Sequence, residues 1–173
     1  ASHAFEKLTP QEAAQVKPWE ILPMQVVAGE KEADATNFRR KKCRGVLCGN
    51  FEAKTSECTY ASTLDISSMR AALAHAAAMG WDVSAMDVST AFLNAPLPEG
   101  HAEVIARPPA IFVHFGLVPE GQLWRATRAV YGLRISPRAW QDQRDKDLKE
   151  LRMTADGVKC RLIQSEADPA VWN

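Results

Sequence analysis

Asp87 is an acid at the end of an apolar alternation. The run Trp81-Asp82-Val83-Ser84-Ala85-Met86 reads as a buried strand, and Asp87 stands where the next apolar side chain would fall. Small residues follow, then one aromatic and a turn signal: Val88-Ser89-Thr90-Ala91-Phe92-Leu93-Asn94-Ala95-Pro96. A carboxylate at a strand end, beside a tight turn with free backbone N–H groups, can hold a cation next to a phosphate. A second reading has Asp87 capping a short helix that starts at Val88. The stretch alone leaves both open.

Positive charge is concentrated in one place, Arg39-Arg40-Lys41-Lys42-Cys43-Arg44, which runs into Gly45-Val46-Leu47-Cys48-Gly49-Asn50-Phe51. This predicts a basic hairpin arm whose second strand docks on the core. Lysines and arginines on such an arm would meet phosphates as point charges or forks. A solvated hairpin tip explains the same residues equally well.

The elements that must position these residues follow from pattern. Thr9-Pro10 starts a short helix, and Ile21 to Gly29 reads as a strand. Glu30 to Phe38 is a charged hairpin loop, and Ser56 to Leu64 is loop. Ser67 to Met79 is the clearest helix, rich in alanine, with Ser67 as its cap and Gly80 closing it. His101 to Ala106 and Gln122 to Arg125 alternate like strands. Ile111 to Gly121 is expected to be loop with one helical turn. A charged helix starts at Ser136-Pro137 and runs to about Ala155. Val158 to Ile163 follows as a strand, and Asp168-Pro169 starts another capped turn.

Bulk composition narrows the class. The 173 residues suit one domain or two small lobes, and 46% hydrophobic content is enough for a core. Net charge is +0, so the whole chain is not a polybasic coat for nucleic acid. No run is long and apolar enough to span a bilayer, and no membrane partner is expected. The first residues, from Ala1, carry no signal-peptide pattern. Cys43, Cys48, Cys58 and Cys160 lack zinc-like spacing and read as reduced, mostly buried thiols. His3, His75, His101 and His114 are scattered, without a triad pattern.

An ordered set of motifs now carries more than any one of them. Lys42-Cys43-Arg44, Met86 to Asn94, Arg107-Pro108-Pro109, Val130-Tyr131-Gly132-Leu133-Arg134-Ile135-Ser136-Pro137-Arg138-Ala139-Trp140 and Asp168-Pro169-Ala170-Val171-Trp172 occur in that order. Together they resemble the reverse transcriptase of copia-type LTR retrotransposons, over roughly residues 19–173.

The resemblance implies an α+β fold: the fingers and partial palm of a right-hand polymerase, with helices on one face of an antiparallel sheet that carries Asp87. It implies an N-terminal extension at 1–18, a fingers-like basic hairpin region at 19–64, and a partial palm with interleaved fingers segments at 65–173. Asp87 would be the catalytic acid and would bind both Mg²⁺ ions of the complete enzyme, in two-metal phosphoryl transfer. Lys42 and Arg44 would close on the nucleotide phosphates, although Cys43, Gly45 and Cys48 depart from the commoner pattern around them. Val88, Ser89, Thr90 and Ala91 would offer N–H groups to the triphosphate. Phe92 would pack under the sugar and exclude a 2′-hydroxyl; a core aromatic is the alternative. Tyr131 and Gly132, with Ser136 and Pro137, would support the templating base and the nucleotide base. Arg134 and Arg138 would touch template or primer phosphates, or stand as solvated helix residues.

The partners implied are an RNA/DNA primer–template, deoxynucleoside triphosphates, and the remainder of a polyprotein: the rest of the palm, the thumb and RNase H. The family also needs two further acids in an aromatic-x-Asp-Asp hairpin, and no Asp-Asp pair occurs here. Asp82, Asp142, Asp145, Asp147, Asp156 and Asp168 stand in other contexts, with 142, 145 and 147 expected at the surface. One acid does not supply the octahedral oxygen set that Mg²⁺ demands. The chain alone is therefore expected not to polymerise. A decayed or co-opted remnant that binds nucleic acid at most is the alternative.

Overall fold

The computed structural model describes residues 4–32, 40–53, 56–155 and 157–173. Most of the expected hairpin loop, with Arg39, His3 and Asp156, lies outside the described residues. Thr9 caps α1 (Pro10–Gln15) through a reciprocal capping box with Glu12, as Thr-Pro followed by Glu favours. Before it, β1 (Phe5–Lys7) is a strand the pattern did not announce. It pairs with β5 (Trp124–Ala126). β2 (Ile21–Lys31) outlasts its expected end at Gly29 and pairs antiparallel with β3 (Arg40–Leu47). β4 (Ile105–Arg107) completes a five-stranded sheet of order β1-β5-β4-β2-β3.

The sheet is mixed rather than antiparallel. β2 and β4 run parallel, Ile21 opposite Ile105 and Pro23 opposite Arg107. A long crossover separates them, which a parallel pair requires. Leu22, Leu47, Val104, Ala106, Ala126, Val130, Leu133 and Ile135 form the main core on this sheet.

The helices depart from a single covering layer. α2 (Ile66–Met79) is capped by Asp65, not Ser67: its carboxylate accepts from the N–H groups of Ser67 and Ser68. Gly80 closes α2 at φ +66°, as expected. Yet only Ala76 of α2 is buried, so α2 does not pack on the sheet. Alanine propensity and two caps sustain this helix with little core behind it. A turn of helix after Pro109, α4 (Ala110–His114), agrees with expectation.

The charged helix α5 (Ser136–Glu150) ends five residues early. Residues expected to continue it form β6 (Arg152–Ala155), paired with β7 (Val158–Arg161) across Gly157 at φ +78°. The strand expected at 81–86 is absent. Those residues are exposed, Met86 at 97%, with no ladder partner among the described residues. Alternation makes a strand only when a neighbour supplies the hydrogen bonds.

Candidate nucleotide cleft

The arm is set by the β2–β3 register, which places Lys42 opposite Gly29 and Arg44 opposite Val27. Its root is tied down. The Leu47 N–H donates to the Tyr131 carbonyl at 2.8 Å and the Cys48 N–H to the Pro23 carbonyl at 2.9 Å. Leu47 itself is buried in the core. Two glycines permit this approach. A Cβ on Gly132, at φ +97°, would lie 2.8 Å from Val46 Cγ1 and closer still to the Leu47 carbonyl oxygen; one on Gly49 would strike the Gly132 carbonyl oxygen.

The segment after Asp87 is seated by α3 (Ala91–Asn94), one turn long. Helix formation thus begins at Ala91, three residues after the start expected if Asp87 were the cap. Ala95, Ala129 and Ala139 close a small core between α3, the 128–130 segment and α5, with Phe92 and Trp140 packed on it. The Ala129 N–H donates to the Ala95 carbonyl at 2.9 Å. Three alanines allow the close approach of three backbones. Thr90 is the described non-glycine residue with positive φ, +52°. A β-branched residue rarely takes that conformation, and such strain gathers at functional sites. The Asn94 side-chain amide donates to the Ser89 carbonyl at 3.3 Å and braces the turn.

Between these parts lies a cleft of about 760 Å³. Lys42, Cys43 and Arg44 line one side, Asp87, Val88, Ser89, Thr90 and Ala91 another, with Tyr131 beside them. Asp87 is exposed and has no hydrogen-bond or ion-pair partner among the described residues. The N–H groups of residues 88–91 likewise donate no backbone hydrogen bond there. One unpaired acid, two cations and a run of free donors thus face one space, although residues 44 and 87 lie far apart in sequence. A triphosphate meets its needs in such a space: cations for charge, N–H groups for its oxygens.

Phe92 does not line the cleft; its ring contacts Tyr131, centroids 5.1 Å apart, and packs toward the alanine core. The other expected contacts are not brought in. Ser136 is completely buried, and its hydroxyl donates to the Val130 carbonyl at 2.6 Å. Its expected support of a template is corrected to a strut inside the chain, because no face of it reaches solvent. Pro137 is exposed in the first turn of α5. Arg138 pairs with Asp142 at 3.0 Å on α5, which holds its guanidinium above its ordinary value.

Arg134 faces a different cavity, shared with Glu52, Glu57 and His101. There the His101 side chain is 4% exposed, with Nδ1 2.7 Å from Glu57 Oε2 and Nε2 3.9 Å from Glu52 Oε1. Pattern reading missed this cluster, because His101 lies 44 residues from Glu57 in sequence and the members carry no shared periodicity. Asp145, expected at the surface with Asp142 and Asp147, is instead half-buried, because it pairs with Arg144 and accepts from Gln164. The thiols are all free as expected, but none is buried; Cys43 and Cys58 are exposed.

Among the described residues, no group of three or more His, Cys, Asp or Glu side chains is arranged to hold a metal ion. Asp87 alone does not fit a pair of Mg²⁺ ions, which need several fixed oxygens. Among the described residues, no helix is long and apolar enough to cross a membrane.

The sequence profile of one family, described as reverse transcriptase (RNA-dependent DNA polymerase), matches residues 14–165. No curated protein and no solved structure matches the chain. The matched span takes in every residue of the cleft except Ala4 and Phe5, and the chain belongs to the reverse transcriptase (RNA-dependent DNA polymerase) family.

Proposed function

We propose that this chain forms the fingers and the first part of the palm of a copia-type retrotransposon reverse transcriptase, and that its cleft receives the triphosphate of an incoming deoxynucleotide. The observation that carries this is the meeting of Lys42, Arg44, Asp87 and the 88–91 backbone in one cleft. In this reading Lys42 and Arg44 draw the phosphates toward the arm, and the free N–H groups orient them. Phe92 shapes the sugar side from behind Tyr131. Asp87 contributes one carboxylate to a magnesium site completed by the remainder of the palm within a polyprotein. The exposed run 81–86 supports the same reading: its alternation suits a strand that pairs with a segment of that remaining palm.

The test has two arms. In the polyprotein reverse transcriptase, Asp87→Asn abolishes primer extension and leaves hybrid binding largely intact; retained extension removes Asp87 from its role. In the chain itself, a primer–template hybrid binds at low salt and is released as salt rises. A folded chain with no affinity at low salt would count against any nucleic-acid role.

A further inference from the structure

Tyr131 touches two residues expected to have different tasks. The Arg44 guanidinium carbon lies 5.7 Å from its ring centroid, and the Phe92 ring centroid lies 5.1 Å from it, the two rings tilted by 56°. Its own carbonyl accepts the Leu47 N–H at the arm's root. Its hydroxyl has no partner among the described residues, so the ring face and the backbone make these contacts.

We propose that Tyr131 is a positioning residue that couples the arm to the sugar side of the cleft, holding Arg44 over its face while fixing the Phe92 ring. This rests on the reading of the cleft as a nucleotide site and adds to it a link between phosphate capture and sugar discrimination. Arg44 is exposed on β3, one of the two edge strands of the sheet, and a long guanidinium there needs a platform to keep one direction. Phe92 stands on a helix of one turn, packed on the alanine core, and the Tyr131 ring adds the aromatic contact that fixes its angle. One aromatic ring meets both needs. A change at Tyr131 therefore moves affinity for the phosphates and preference for the 2′-deoxy sugar together.

The experiment titrates dATP and ATP into the 173-residue chain, wild type, Tyr131→Leu and Tyr131→Phe, and follows amide exchange at residues 42–46 without nucleotide. Tyr131→Leu is expected to weaken dATP about three- to tenfold and to shrink the preference for dATP over ATP. It also speeds exchange along the arm. Tyr131→Phe, which keeps the ring, restores all three. Unchanged affinity and exchange in Tyr131→Leu, or a Tyr131→Phe variant as impaired as Tyr131→Leu, overturns the proposal. Should Tyr131→Leu not fold, Arg44→Gln probes the contact from its exposed side. Faster arm exchange supports the coupling, and unchanged exchange overturns it. A wild-type chain that binds neither triphosphate defeats the nucleotide reading, while the exchange comparison still decides whether the ring holds the arm.

Discussion

Gly132 presses against Leu47 where the arm meets the core, and the missing Cβ is what lets it. At φ +97° any other residue is strained, and its Cβ would collide with the Leu47 carbonyl and with Val46. Gly132→Ala is expected to cost about 3 kcal/mol or more, strain and overpacking together. Gly100 isolates the backbone part: its φ is +79° but a Cβ there meets nothing within 4 Å. Gly100→Ala should cost only about 1 kcal/mol. Urea unfolding of both variants checks this; equal losses would remove the Gly132–Leu47 contact from the explanation.

Acid should loosen the junction between α2 and the C-terminal segment. Asp168 accepts the Ala170 N–H through one oxygen and the Asp65 N–H through the other, at 3.0 and 3.1 Å. These bonds, the Ala170 one foremost, hold its carboxyl below the usual aspartate value of 3.8. Asp65 is lowered likewise, first by the Ser67 N–H. Folded values below the unfolded ones mean that the stabilisation is fully present above about pH 4 and is lost as pH falls through the folded values. Asp168→Asn offers an acceptor to only one of the two N–H groups. It should therefore be less stable at neutral pH and show a flatter loss below pH 4 in thermal melts against pH. An acid limb as steep as wild type would mean other carboxylates carry it.

Ser136→Ala should be a stability variant and nothing more. Removing the buried hydroxyl deprives the Val130 carbonyl of its 2.6 Å donor, at about 1–2 kcal/mol. Hybrid binding should not change. Lost binding with an unchanged unfolding midpoint would return Ser136 to the template surface.

His101 is expected to be structural. Its buried ring ties Glu57, at 2.7 Å, to the segment leading into β4. His101→Ala opens a cavity and strands Glu57, so about 2 kcal/mol or more is expected. A thermal shift assay reads it, and an unchanged midpoint would show that the ring carries no load.

Asp87→Asn should leave the fold alone, within about 0.5 kcal/mol, as exposed positions without partners do. Chemical denaturation checks this. A large loss would point to a capping role and against a site held ready for a ligand.

Local chemistry alone wrote much of this protein into its sequence. Thr9 with Glu12, Gly80 at φ +66° and Pro137 in the first turn of α5 each act within a few residues, so their elements were readable. The order of the Asp87 and Tyr131-Gly132 motifs was readable too, and with it the family. Partnership over distance was not. The alternation at 81–86 promised a strand that no described neighbour completes, and the charged run after Glu150 turned into a hairpin about Gly157. Tertiary structure alone decided that β2 and β4 run parallel, that Ser136 faces inward, and that Glu52, Glu57 and His101 share a cavity. It also decided that Asp87 and Arg44 face one cleft. Each of those outcomes depends on what the rest of the chain brings alongside, and a one-dimensional pattern holds no record of that.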